Sequence, residues 1–306
     1  MFFSNLAQLL RKNVREYGMY IVLFVIMAIF TITTDGTFIS SRNISNLMNQ
    51  VGYIAVLAVG MTLVIIIRHI DLSVGFLSGF IGAIAAIAMK FWGLPVYLVI
   101  PMALALGVVA GGIVAFLVAE VQIPAFVATL AGWLIYRGAI LLVLMSTGTV
   151  ITSDEAFNAI GNGFIPDIPD IGILPGVHKV TLLLGALAIV WFIINEIRDR
   201  QNKQRYNFEV LTEPLRILKL VLMSIVVGLI TWVLAGYNGM SWTLVVVLIV
   251  VAIYDFIANR TVLGRHIYAV GGNPEAAALS GSDVKKVTYF VFCSMGLLSG
   301  LSGILF

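Results

Sequence analysis

Side chains able to do acid–base, thiol or metal chemistry are few in this 306-residue chain, and they stand far apart. Its one cysteine, Cys293, lies in an apolar run and can form no intrachain disulfide. His69, His178 and His266 have no metal-ligand spacing. No Gly-Lys-Ser or Gly-Lys-Thr closes a phosphate-binding loop, so if ATP powers this protein another chain must hydrolyse it. The expectation is no catalytic residue, no metal and no cofactor.

The polar groups that matter are set at the edges of apolar runs. Ile70-Asp-Leu-Ser-Val-Gly75 separates two such runs. Asp71 can cap the helix that follows and Ser73 can satisfy its first turn. An ionisable residue at a membrane helix end is also a functional hypothesis, here contact with substrate or a gate. In the segment from Ile123 to Gly138, Pro124 can open a helix that carries Thr129 and Gly132 and places Arg137 deep in an apolar run. A central arginine costs at least ~2.5 kcal/mol to insert. Such a group needs a carboxylate, backbone carbonyls or a water-filled cavity, so a partner within the bundle is expected, with a pore-lining role as the other use.

A third segment, Gly264 to Gly281, has its own helix grammar. Asn273 is a good N-cap, Pro274 suits the first helical position, Glu275 complements the positive helix end and Ala276 to Ala278 favour helix. Gly281 is placed to stop it. The product is a rod of roughly two turns, about 10 Å long. Helices so short do not survive alone in water, so this one must rest on its own bundle or dock on a partner. In the docking case the small residues Ala277 and Gly281 are expected to matter through fit.

The elements that position these groups follow from composition. Hydrophobic residues make up 60% of the chain and charged ones 11%, against roughly 25% charged in an average soluble domain. The mean hydropathy is +1.06. Apolar runs of about 17 to 25 residues suffice to cross a bilayer, which excludes a soluble enzyme, an all-β secreted scaffold and a disordered adaptor. Hydropathy predicts nine spans: 19–33, 51–67, 72–92, 96–119, 124–145, 180–195, 218–235, 242–258 and 287–306. Arg11, Lys12 and Arg15 precede the first span and no small-residue cleavage pattern follows it, so residues 1–18 are expected to stay cytoplasmic ahead of one transmembrane domain over 19–306.

Alternation from that start places Arg198, Arg200, Lys203, Arg205 and Arg216 in a cytoplasmic loop (196–217), with Lys219 at its edge, and Arg260, Arg265, Lys285 and Lys286 in another (259–286). The opposite side holds only Arg42, Lys90 and Lys179, and its loop 147–178 is acidic, with Asp154, Glu155, Asp167 and Asp170. The positive-inside rule is satisfied without adjusting any span. The pI near 9.0 therefore reports membrane orientation and not nucleic-acid binding. Small residues four apart (Gly75 and Gly79, Gly107 and Gly111, Gly296 and Gly300) predict close helix seams. The last run, Leu301 to Phe306, ends without a flanking charge, so a further carboxy-terminal part is expected.

The motifs Thr34-Asp-Gly-Thr-Phe-Ile-Ser-Ser-Arg-Asn-Ile-Ser-Asn-Leu47, Leu57-Ala-Val-Gly-Met61, Ile70 to Gly75, Pro124 to Gly138 and Gly264 to Gly281 occur in order across nearly the whole chain. Taken together they resemble the membrane permeases of bacterial ABC importers for monosaccharides, with xylose and multiple-sugar permeases the nearest in kind through the Thr-Asp-Gly motif. The resemblance implies an all-α polytopic helix bundle of ten or more helices, about nine of them present here. It also implies two permease copies, a cytoplasmic ABC ATPase, a periplasmic sugar-binding protein and a monosaccharide substrate, with no nucleic acid. It further implies that Gly264, Arg265, Gly272, Asn273, Pro274, Glu275, Ala276, Ala277 and Gly281 form the loop that docks on the ATPase. The candidates for the translocation path or gate are Asp71, Ser73, Gly75, Thr129, Gly132 and Arg137. The alternatives are an ion-coupled secondary transporter and an ABC permease for an amino acid. The first of these calls for midplane carboxylates, whereas Asp71, Glu120, Glu196 and Asp255 lie at span ends.

Overall fold

The computed structural model describes residues 14–306 apart from positions 146, 149, 153, 170, 171, 173, 174, 207, 209 and 211, with side chains from Gly18 onward. Arg11, Lys12 and Asp170 of the charge pattern lie outside the described residues. Among the described residues the chain is all-α: α1 (Val14–Thr33), α2 (Ser41–Ile66), α3 (Val74–Lys90), α4 (Val96–Ala119), α5 (Ala125–Met145), α6 (Glu155–Asn162), α7 (Lys179–Arg205), α8 (Glu213–Ala235), α9 (Trp242–Arg260), α10 (Val262–Gly272), α11 (Pro274–Leu279) and α12 (Val284–Leu305).

Each of the nine hydropathy runs is helical, but they are not equal as spans. Seven helices among the described residues, α2, α4, α5, α7, α8, α9 and α12, are long and apolar enough to cross a membrane, while α3 and the part of α1 from Gly18 are shorter apolar helices. The 17 residues of α3 reach only about 25 Å, against a hydrocarbon core of about 30 Å. Two regions expected as loop are partly helix. α7 continues past Asn195 to Arg205, where Lys203 pairs with Asp199 one turn back at 2.8 Å. Lys219 with Glu196 (2.7 Å) and Arg200 with Glu213 (2.7 Å) tie this extension to α8. Polar helix formers joined by such pairs extend a span into water, which hydropathy cannot register. In the acidic 147–178 stretch, Asp154 accepts from the Phe157 N–H at 2.9 Å and so opens α6.

The chain forms two compact units. In the first, residues 14–47 and 166–239, α7 packs on α8, with Gly185 held against Thr231. The His178 N–H donates to the Ala235 carbonyl at 2.9 Å.

In the second unit, residues 48–165 and 240–306, α12 is the central helix and lies along α4 and α3. It is 72% buried over its span, against 11% for α5. Lipid gives little hydrophobic drive for one helix to join another, so contact must come from close backbone approach and dispersion. Glycine supplies that approach. A Cβ on Gly296 would press into the Gly107 carbonyl oxygen and stand 2.9 Å from the Gly111 nitrogen, and one on Gly300 would stand 2.6 Å from the Ala103 oxygen. The seams expected at Gly107–Gly111 and Gly296–Gly300 are thus two sides of one contact. The seam expected at Gly75–Gly79 is absent: a Cβ on Gly75 would meet nothing, and one on Gly79 only the Ile140 side chain at 3.3 Å. α3 instead meets α12 through Gly82, whose Cβ would lie 2.6 Å from the Gly303 oxygen.

Candidate functional site

The break between α2 and α3 is built around a residue in an unusual conformation. The Arg68 N–H donates to the Ile65 carbonyl at 2.9 Å and the His69 N–H to the Val64 carbonyl at 3.0 Å, closing α2 with a left-handed residue after the last turn. That residue is Arg68, with φ 63°, where glycine is usual. The conformation costs about 1 kcal/mol or more, which the surroundings must offset.

Asp71 follows, 5% exposed, and its Oδ1 accepts from the Ser73 N–H (2.9 Å) and the Ser73 hydroxyl (2.6 Å). This corrects the expectation that Asp71 caps α3. Ser73 is the N-cap and its hydroxyl is spent on Asp71, so neither side chain bonds the first turn of the helix. Burial raises the Asp71 pKa against the lowering effect of the two Ser73 bonds.

Thr129 on α5 is fully buried, and its hydroxyl lies 2.9 Å from the Ala125 carbonyl and 3.2 Å from that of Ile70. One turn on, a Cβ on Gly132 would stand 3.2 Å from the Ser73 Cβ, so its hydrogen lets α5 lie against the break. Four of the six path candidates, Asp71, Ser73, Thr129 and Gly132, therefore meet at one place. Gly75 is exposed and stands apart. Arg137 is exposed too, and no ion pair joins it to a carboxylate among the described residues. Its guanidinium sits over the Trp133 ring at 5.5 Å, and Trp133 meets Phe76 of α3 edge-on at 5.3 Å. The partner expected within the bundle is thus an aromatic face and not a carboxylate.

The second assembly is the segment between α9 and α12. Thr261 opens α10 by accepting from the Gly264 N–H at 3.1 Å, and Ile267 and Val270 anchor that helix in the core. Asn273 caps α11 as its type predicts, its Oδ1 accepting from the Glu275 and Ala276 N–H groups at 3.0 and 3.1 Å. Gly281 ends the segment with φ 88°, as expected, and the Ser282 N–H returns to the Ala277 carbonyl at 2.9 Å. Ala277 is 4% exposed and belongs to the unit's own core, and Gly264 is buried against the end of α9, so neither presents a side chain outward. That corrects the expectation for Ala277. Leu279, not singled out in the sequence, is 92% exposed. Arg265, Gly272, Pro274, Glu275 and Ala276 are exposed as well.

The two assemblies touch at one end of this unit. The Arg68 guanidinium donates to the Gly272 carbonyl, and the Gly271 backbone packs on the Ile66 carbonyl so closely that a Cβ there has no room. Lys285 pairs with Glu120 at 2.6 Å. An open cleft of about 440 Å³ lies beside them, lined by Arg68, His69, Gln122, Pro274, Lys285 and Thr288. Sequence reasoning missed Arg68. Its only local signal is a basic residue stranded between two apolar runs.

A polytopic all-α bundle with glycine seams, polar groups gathered at a helix break and a capped helix between two spans has the architecture of a membrane permease. The chain belongs to the family described as branched-chain amino acid transport system / permease component, which matches residues 43–306. It is similar to the xylose transport system permease protein XylH of Haemophilus influenzae, 36% identical over 293 residues, covering 96% of this chain and 75% of that protein. The XylH protein of Escherichia coli K12 is 35% identical over 303 residues, covering 99% and 73%. The ribose import permease protein RbsC of Haemophilus influenzae is 31% identical over 295 residues, covering 95% and 68%. No solved structure matches the chain.

Proposed function

We infer that the chain is the permease subunit of an ATP-driven importer and forms the path of a monosaccharide, a pentose such as xylose first, across the bacterial inner membrane. The single observation carrying this reading is similarity to xylose and ribose permeases over nearly the whole chain, which favours a sugar over an amino acid. A separate cytoplasmic ATPase hydrolyses ATP, a periplasmic sugar-binding protein delivers the substrate, and a second permease copy completes the pore. Residues 1–18 and the loops 196–217 and 259–286 face the cytoplasm, 147–178 faces the periplasm, and 19–306 act as one permease domain.

The segment from Gly264 to Gly281 is the ATPase-coupling element. Asn273 and Pro274 set its start, Glu275, Ala276 and Leu279 face the partner, and Arg265 and Gly272 border them. Gly264 and Ala277 act from inside by holding the segment to its bundle, and Gly281 fixes the exit. On the translocation side, Asp71, Ser73, Thr129 and Gly132 form the hinge of the path, Gly75 lies free beside it, and Arg137 with Trp133 lines the aqueous route. Support for the last assignment is energetic: a guanidinium in the middle of an 11%-buried span, stacked on indole, is costly against lipid and suited to water and sugar hydroxyls.

The test is reconstitution of this permease with its ATPase and a xylose-binding protein in proteoliposomes. ATP-dependent xylose uptake is expected. An assembly that hydrolyses ATP in response to a loaded binding protein for another solute class, with no sugar uptake, overturns the assignment.

A further inference from the structure

We propose that Arg68 is a latch that joins the coupling segment to the α2–α3 break, so that movement imposed on the segment reaches α5. The proposal rests on the coupling role given above to residues 264–281 and adds the route by which that role is exercised.

Three neighbouring observations carry it. The Arg68 guanidinium, on a backbone already held in the left-handed region, donates to the Gly272 carbonyl at the junction of α10 and α11, 204 residues away in sequence. Next to it, Gly271 leaves no space for a side chain against the last carbonyl of α2, so the junction and the end of α2 are in backbone contact. Beneath both, Ile67, Val270 and Ala277 share one buried cluster. A shift of α11 together with the end of α10 must therefore carry the Ile66 to Ile70 turn with it or disrupt this packing.

The far side of the same turn is attached to α5. The Ile70 carbonyl lies 3.2 Å from the Thr129 hydroxyl, and Ser73, bonded to Asp71, lies against Gly132. Arg137 is five residues beyond Gly132, about 7.5 Å along the helix axis. α5 is also the helix of this unit least fixed by its own neighbours among those touching the break, 11% buried against 33% for α4. The turn is thus held by the coupling segment on one side and by α5, the less buried helix, on the other, while His69 rests against Phe292 of α12 at 5.9 Å. Arg68 is a positioning residue: it touches neither substrate nor nucleotide.

Glycine suits φ 63°, so Arg68→Gly removes the guanidinium while relieving the backbone, and Arg68→Lys keeps a donor able to seek the same carbonyl. Both are made in the full importer, each also carrying a photo-crosslinking amino acid in place of Ala278, which is exposed beside Leu279 and has no part in the contact. The readouts are crosslinking to the ATPase, ATP hydrolysis stimulated by the loaded binding protein, and sugar transported per ATP hydrolysed. Expected for Arg68→Gly are crosslinking and ATP hydrolysis like those of the parent, with transport per ATP reduced about fivefold or more, in the range of ordinary coupling between sites. Arg68→Lys should recover part of that loss. Transport per ATP equal to that of the parent in Arg68→Gly, with crosslinking intact, overturns the latch alone. Failure of Arg68→Gly to insert or assemble also overturns it, since the residue is then merely structural. Absence of crosslinking from position 278 in the parent itself defeats the docking reading instead.

Discussion

The Gly107–Gly296 contact makes a sharp quantitative demand on the fold. In Gly296→Ala the added methyl would meet the Gly107 carbonyl oxygen head-on and approach the Gly111 nitrogen to 2.9 Å, where ordinary contact begins at 3.4 Å. Both obstacles are backbone of α4, so no side-chain rotation relieves them, and the two helices must separate by at least about 0.5 Å along the seam. Overpacking of this kind costs roughly 1–3 kcal/mol. The control is Gly228→Ala on α8, where a Cβ would meet nothing within 4 Å. There the methyl favours helix and restricts the unfolded chain, adding about 0.4–1 kcal/mol. The two substitutions are chemically identical, so their difference, about 1.5–4 kcal/mol, isolates the seam. At about 2–4 °C per kcal/mol, the apparent melting temperatures in detergent, read by size-exclusion recovery after heating, should differ by about 3 °C or more. If Gly296→Ala melts within about 1 °C of Gly228→Ala, the close approach of α4 and α12 is wrong and with it the account of what holds the second unit together.

Other expectations are as direct. Leu279→Ala should weaken binding of the ATPase by about 2 kcal/mol, roughly 30-fold, as loss of an exposed apolar anchor does, while Ala277→Leu should lower stability first because that site is in the core. A titration with fluorescent ATPase separates the two, and equal effects on affinity would contradict the orientation of α11. Arg137→Leu should insert normally and lose uptake, with Arg137→Lys intermediate; normal uptake by Arg137→Leu removes it from the path. Asn202→Cys in a Cys293→Ser background should label only from the cytoplasmic side, and periplasmic labelling would invert the topology. Asp283 holds its carboxyl pKa low by accepting from the Lys286 N–H. The stabilisation it gives α12 is present above the ordinary carboxylate pKa and fades as pH falls through its lower folded value. Asp283→Asn should flatten that dependence in hydrogen exchange of residues 284–288, and an unchanged acid profile counts against the cap.

What could be read from the sequence was local or periodic. The apolar runs are legible because a bilayer demands a contiguous length, and α11 is legible because Asn273, Pro274 and Gly281 act within a few residues of themselves. Helix that is polar, such as 196–205 and Glu155–Asn162, is invisible to hydropathy because water serves as its solvent. Glycine spacing identified both Gly75–Gly79 and Gly107–Gly111, yet only the second faces a partner backbone, and spacing on one helix carries no information about the other. Asp71 has the type and position of a helix cap, but its first available donors are those of Ser73, two residues away. The direction in which α11 turns Ala277 and Leu279 depends on α10 and α12, which lie on either side of it and set its roll.

Rigidity and freedom are distributed across the second unit in a way that fits transport. α12 and α4 meet backbone to backbone, and such contacts have no rotamers through which to yield, so they can serve only as a frame. α5 meets the α2–α3 break at its start through the Thr129 hydroxyl and the bare Gly132, while further along Trp133 packs on Phe76 of α3 and Arg137 stands exposed. A permease needs both properties at once, because a path that opens must move against something that does not. The Asp71–Ser73 break lies where the two regimes join. It lets α3 begin anew without inheriting the axis of α2, and it presents the Ile70 carbonyl to α5 and, through Arg68, the Gly272 carbonyl's tether to the coupling segment. A continuous helix through residues 66–74 would satisfy the backbone equally well and would lock frame and path into one body. The left-handed Arg68, costly in isolation, is what ends α2 and lets that break form.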